Sequence, residues 1–202
     1  AAFPKGNYTA SSPVISYWND FFQGIRQCYM FLEGVDKTSD MDDEKKADYK
    51  AQGQFLIAYY HYMLARCYGP IILVKETPNI ETKVEDFAHR TPYDECVQCD
   101  KLDAAAAGLP VRRDQIQYGL ATSVAAKAVK AKMLLYAASP LFNERAPELF
   151  KNMRDPDNGT QLMPTAYDAN KWVKARDAMK EAIDFAEQNG YHLYTKQDRF
   201  IG

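Results

Sequence analysis

The chain has 202 residues, 47% hydrophobic and 26% charged, enough for one sizeable soluble domain and unlike a disordered segment. A formal net charge of -2 and a pI near 6.0 remove the electrostatic case for nucleic acid, which needs Lys and Arg clustered on a basic domain. No apolar run is long enough to span a bilayer, while aromatics reach 13% with fourteen Tyr and ten Phe, so some of them are expected where a surface meets a ligand.

Trp18, Phe21, Phe22, Ile25, Tyr29 and Leu32 recur at i, i+3, i+4, i+7, i+11 and i+14, which predicts a first helix over 17–33 ended by Gly34. A second helix is predicted over 43–68. Both Phe55, Ala58, Tyr59, Tyr62 and the offset set Leu56, Tyr60, Met63, Cys67 are apolar, so neighbours are expected on two sides of it, and Gly69-Pro70 ends it. The β-branched run at 71–74 reads as an extended segment too short to found a sheet, and 75–90 as loop. Thr91-Pro92-Tyr93-Asp94 combines a capping hydroxyl, a proline at the first helical position and an acidic residue, predicting a third helix over 92–108.

Thr122 caps a fourth helix and Pro140 stops it. Ala126, Val129, Met133, Tyr136 and Ala137 line one face of that helix, its alanines let neighbours press close, and Lys127, Lys130 and Lys132 read as a solvated face with no assigned partner. The polar stretch 144–166 is long for a simple connection and is expected to be functional. A fifth helix over 168–189 carries Trp172, Ala175, Met179, Ala182, Ile183 and Ala186 and closes at Gly190, leaving it without a helical partner.

These elements define one all-α domain of tetratricopeptide-like helical hairpins with long inserted loops. Helices one, three and five start near 17, 92 and 168, and a tetratricopeptide unit of about 34 residues fits each pair only with an insertion. Because the chain opens on Ala-Ala-Phe-Pro and stops soon after a helix, it is expected to be a piece truncated at both ends.

Motifs for chemistry are absent. Cys96 and Cys99 form a CxxC without a second pair or a histidine pair, inside an expected helix where such thiols pack. His61, His89 and His192 are isolated in sequence, and no nucleophile elbow or phosphate-binding glycine loop occurs, so neither an enzyme nor a cofactor is expected. Asp155 to Thr160 reads as a turn rather than a calcium loop, with Asp155, Asp157 and Asn158 the oxygens to suspect if a hard cation bound. A sugar needs aromatic faces and planar hydrogen-bonding groups. The candidates for that role are Asn7, Tyr8, Trp18 and Asn19 around the first helix start, with Tyr17 beside them, and Arg154, Asp157 and Asn158 in the long loop, with Asn152 and Gln161 as further members. Trp18 also begins the apolar stripe and so competes for a place in the core.

Several segments together resemble the SusD/RagB family of outer-membrane nutrient-binding lipoproteins. They are Gly119-x-Ala121-Thr122 running to Leu135-Tyr136-Ala137-Ala138-Ser139-Pro140-Leu141-Phe142-Asn143, and Phe55-Leu56-x-Ala58-Tyr59-Tyr60 with Tyr68-Gly69-Pro70. Trp18 with Ile25-Arg26 and Phe31-Leu32-Glu33, Arg90-Thr91-Pro92-Tyr93 leading to Leu109-Pro110, and Trp172 with Ala175 ahead of Tyr191 support it. Leu120, Ile57 and Tyr29 depart from the residues common in the family. The resemblance implies a helical, tetratricopeptide-like protein, lipid-anchored at the cell surface, that captures an oligosaccharide or a peptide. It would pass this cargo to a SusC-like TonB-dependent transporter in the outer membrane. None of the four cysteines is placed to carry the anchor, which is expected upstream. The competing reading is a tetratricopeptide-like scaffold for a protein partner.

Overall fold

The computed structural model describes residues 2–194 other than 10, 78, 80, 84–87 and 98. Among them the helices are α1 (Ala2–Lys5), α2 (Trp18–Val35), α3 (Asp43–Tyr68), α4 (Tyr93–Cys96), α5 (Asp100–Gly108), α6 (Ser123–Ala138), α7 (Ala146–Leu149) and α8 (Asn170–Gln188), with a 3-10 turn at Gln115–Gln117. The only extended pairings among these residues are isolated bridges, Thr9 with Ser12 and Arg154 with Gln161. The chain is all-α, and α2 packs on α3, α3 on α5, α5 on α6 and α6 on α8, a row of helical hairpins. No helix among the described residues is long and apolar enough to cross a membrane.

The apolar stripe of α2 faces α3 as its spacing predicts: Ile25 and Tyr29 are buried, and Trp18, Phe21, Phe22 and Leu32 pack on the same core. The two helices touch through glycine. A Cβ added to Gly24 would lie 2.8 Å from Cε2 of Tyr60, whose ring stacks on Phe21. We expect Gly24→Val to lower stability by about 1–3 kcal/mol in a urea titration, because overpacking the contact outweighs the helix propensity gained. An unchanged midpoint would show that the Tyr60 ring yields freely.

Asp42 caps α3 by accepting the Lys45 N–H at 2.8 Å, and Gly69 ends it at φ +70, where the missing Cβ removes the steric penalty. Neighbours cover α3 on two sides, as its paired apolar sets require. Ile57, Leu64 and Ala65 join the α2 core, Ala58 and Tyr62 meet Leu102 and Met133, and Ala51 meets Ala105, Leu109 and Ala126. Cys67, on the last turn, is exposed instead.

Residues 71–74 are extended, and other segments complete their backbone hydrogen bonds. Thr91 N–H donates to Ile71 O at 2.7 Å, Leu73 N–H to Thr91 Oγ1 at 3.3 Å, Val74 N–H to His61 Nε2 at 3.2 Å, and Tyr29 O–H to Val74 O at 2.9 Å. This corrects the expected helix start. Thr91 spends its hydroxyl on Leu73, Pro92 occupies the cap position, and no side chain caps α4. The expected helix over 92–108 is also broken after Cys96, with Val97 at φ -89, ψ 34. Tyr93 and Cys96 are drawn into the α2–α3 core, whereas Leu102 and Ala105 serve the two other clusters, and the break lets one segment reach all three.

Thr122 accepts the Ala125 N–H at 3.2 Å and caps α6, whose Ala126, Ala131, Ala137 and Ala138 are buried. Lys132 is exposed as expected, but Lys127 and Lys130 are not simply solvated, which corrects the expectation for those two. Lys127 pairs with Glu181 of α8 and Lys130 with Asp103 of α5, their side chains only 19% and 20% exposed. The alanines bring the flanking helices so near that the lysine stems lie along them. After Pro140, Phe142 stacks on Tyr93 at 4.5 Å, and Asn143, fully buried, exchanges two 2.9 Å hydrogen bonds with the backbone of Asp168. The Leu141-Phe142-Asn143 ending of the motif is therefore a staple that fixes where α8 begins.

Candidate functional site

Asn7 and Tyr8 sit in an exposed turn after α1, closed by Tyr8 N–H on Gly6 O, and Asn19 is exposed on the first turn of α2. Tyr17 stacks on Phe21, and its N–H donates to Tyr68 Oη at 3.0 Å. Trp18 is half-buried in an aromatic cluster, edge-on to Phe22 at 4.9 Å and to Tyr68 at 5.2 Å, with the Arg90 guanidinium 5.1 Å from its ring centroid. Its ring already has neighbours on several sides.

The long loop is folded. Asp155 Oδ1 accepts the N–H groups of Asp157 and Asn158 at 3.0 and 3.2 Å, Asn158 Oδ1 accepts Thr160 N–H, and Gly159 N–H closes on Asp155 O with φ +73 at Gly159. These are the Asx interactions that Asp-Pro-Asp-Asn-Gly-Thr encodes locally, so the stretch is the turn its sequence predicts. Arg154 donates from Nη1 to Gly159 O, bracing the turn, while the side chain of Asp157 is 74% exposed. Gln161 donates to Phe150 O and Met163 O, so its amide nitrogen is structural, and Asn152 is exposed. Leu162 and Met163 are buried and anchor the loop to the core.

The two candidate groups flank one short segment of the expected loop, residues 89 and 90. His89 Nδ1 lies 3.4 Å from Asp155 Oδ1 and 3.6 Å from Asp157 Oδ2, while the next residue, Arg90, donates to Pro70 O at 2.9 Å and covers Trp18. Residues 89 and 90 thus connect the helix start to the loop turn. A second surface contains none of the residues expected from the sequence to bind a ligand. The 3-10 turn leaves Ile116 99% and Tyr118 86% exposed beside Gln115 and Gln117. The signal was an apolar pair between Pro110 and Thr122 that belongs to no helical stripe.

A cavity of about 220 Å³ lies between α3, the 71–75 segment and α5, lined by Ala58, His61, Leu73, Cys96, Lys101 and Met133. Burial pushes the Cys96 thiol up to about 11, so it stays protonated and donates to Thr91 O, an inert packing thiol as expected. A more open groove of about 520 Å³ runs along α8 past Leu135, Trp172, Ala175, Met179 and Ile183. It follows the apolar stripe of α8, on which Ala175 is buried while Trp172 and Ile183 are exposed.

A row of helical hairpins carrying exposed aromatic and amide groups on its loops defines a binding scaffold. The chain belongs to the SusD-like family, whose model, described as starch-binding associating with outer membrane, matches residues 5–135. This is a family of binding proteins rather than enzymes. Among solved structures, BT4246 is 36% identical with a TM-score of 0.81, over 94% of this chain and 32% of its own. A laminarin-binding SusD-like protein is 22% identical with a TM-score of 0.59, over 75% of this chain and 32% of its own. Surface glycan-binding protein A from Bacteroides uniformis is 22% identical with a TM-score of 0.56, over 86% and 32%. The chain therefore spans about a third of the length of these structures. No curated protein matches it.

Proposed function

We propose that this chain is part of a carbohydrate-binding surface lipoprotein that captures an oligosaccharide, or for some cargoes a peptide, and delivers it to a SusC-like TonB-dependent transporter. The observation carrying this reading is the family match over residues 5–135, reinforced by glycan-binding relatives of the same fold. The lipid anchor to the outer membrane lies outside this stretch. Asn7, Tyr8, Trp18, Asn19, Arg154, Asp157 and Asn158 frame the ligand surface around residues 89 and 90. Tyr8 offers an aromatic face, and Asn7, Arg154 and Asn158 offer hydrogen bonds to hydroxyls.

Calorimetric titration of the full-length protein with a panel of glucans should show binding. Tyr8→Ala and Arg154→Ala should each weaken it by about 1 kcal/mol, roughly fivefold. A panel with no binding glycan, together with purification on a protein partner other than a β-barrel, would favour the protein-binding scaffold.

A further inference from the structure

We propose that His89, Asp155 and Asp157 form a binding site for a divalent cation of the zinc class, joining the segment before α4 to the turn at 154–161. Three side chains from two distant stretches converge, and their donor atoms all lie within 4.8 Å of one another. The His89 Nδ1 distances of 3.4 and 3.6 Å to Asp155 Oδ1 and Asp157 Oδ2 are too long for N–H···O hydrogen bonds. They are the right length for something else. A tetrahedral cation with ligand bonds of about 2.0–2.1 Å holds its ligand atoms about 3.4 Å apart.

The site is oriented before a cation arrives. Asp155 is 5% exposed, and the turn N–H groups of Asp157 and Asn158 hold its Oδ1, the kind of outer contact that fixes a ligating carboxylate. His89 and Asp157 are 39% and 74% exposed, which leaves an entry path and room for water to complete the coordination. Two carboxylates balance a divalent charge, and an imidazole ligand selects zinc-like cations over calcium or magnesium, which prefer oxygen alone. The inference does not depend on which cargo the protein carries.

The test uses full-length protein stripped with a chelator and titrated with cobalt(II) and then zinc. Cobalt should give visible d–d absorption without thiolate charge transfer, zinc should displace it, and zinc should raise the thermal midpoint. His89→Gln and Asp157→Asn, at exposed positions, should each weaken zinc binding about tenfold or more. Asp155→Asn keeps the turn acceptor and should also weaken it. The double variant His89→Gln/Asp157→Asn should abolish the cobalt signal, and Cys67→Ser should leave it intact. No cobalt signal, a signal surviving the double variant, or binding of calcium but not zinc would each overturn the site. Glycan titration of the chelator-stripped and the zinc-loaded wild type keeps failure of the cation site separate from failure of the carbohydrate reading.

Discussion

Asp48→Ala is expected to destabilise the protein by about 3 kcal/mol, a large part of the roughly 5–15 kcal/mol that holds a domain folded. Arg113 is only 5% exposed, and its fork reaches both carboxylate oxygens of Asp48 at 2.6 Å. Its Nε and Nη2 also donate to Ala121 O at 3.1 and 3.0 Å, and Gln52 pairs with both the N–H and the C=O of Ala121 at 2.9 Å. Asp48 and Gln52 belong to α3, and Ala121 immediately precedes the cap of α6, so this network sets where α6 starts. Removing the carboxylate strands a buried guanidinium. The cost falls at the low end of the range for breaking a buried pair because Asp48 is 21% exposed and water can enter.

The converse substitution should cost less. Arg113→Ala leaves a carboxylate with access to water and an Ala121 carbonyl still held by Gln52. Arg113→Lys should not rescue it, since an ammonium cannot present the planar fork. Urea titration of the three variants checks this order, and equal losses for Asp48→Ala and Arg113→Ala would show that the buried charge is not what sets the cost. The hydrogen bonds from Arg113 hold the Asp48 carboxyl below its ordinary value of 3.8. The pair's contribution is therefore present above that value and is lost only as pH falls through the lower folded one.

The contrast between Thr122 and Thr91 shows why some of the fold was legible and some was not. Both precede a helix and both carry a capping hydroxyl, yet only Thr122 caps. Thr91 has a competitor, the Leu73 N–H, supplied by a segment eighteen residues earlier, and no local pattern announces it. The stripe of α2, the stop at Gly69 and the Asx turn at Asp155 were readable because each depends on atoms a few residues apart. The pairing of Lys127 and Lys130 with flanking helices, the break after Cys96 and the approach of His89 to Asp155 were not, because each is decided by a partner distant in sequence. The candidate ligand residues divide the same way: the loop turn came from local chemistry, whereas the segment joining it to Trp18 exists only in the assembled fold.

His61 makes the second large effect one of pH. It is 5% exposed, with Nδ1 2.8 Å from Ile57 O and Nε2 accepting the Val74 N–H at 3.2 Å, so the proton must sit on Nδ1. Burial, with Lys101 adding repulsion against the hydrogen bond to Ile57, pushes its pKa from 6.5 down to about 4. Protonating Nε2 would set two donors against each other and release the 71–74 segment. A depressed folded value means that the unfolded chain binds the extra proton first. The contribution of neutral His61 is thus complete above 6.5 and is lost as pH falls through about 4. Near pH 4.5 the loss should reach about 2–3 kcal/mol. Asp48 is still ionised there, so the two effects separate. His61→Gln retains an acceptor for Val74 without a titrating ring. Urea titrations across this window should find the wild type losing stability more steeply than the variant as pH falls, with the carboxylates cancelling in the difference, whereas parallel curves would mean that His61 is not buried neutral.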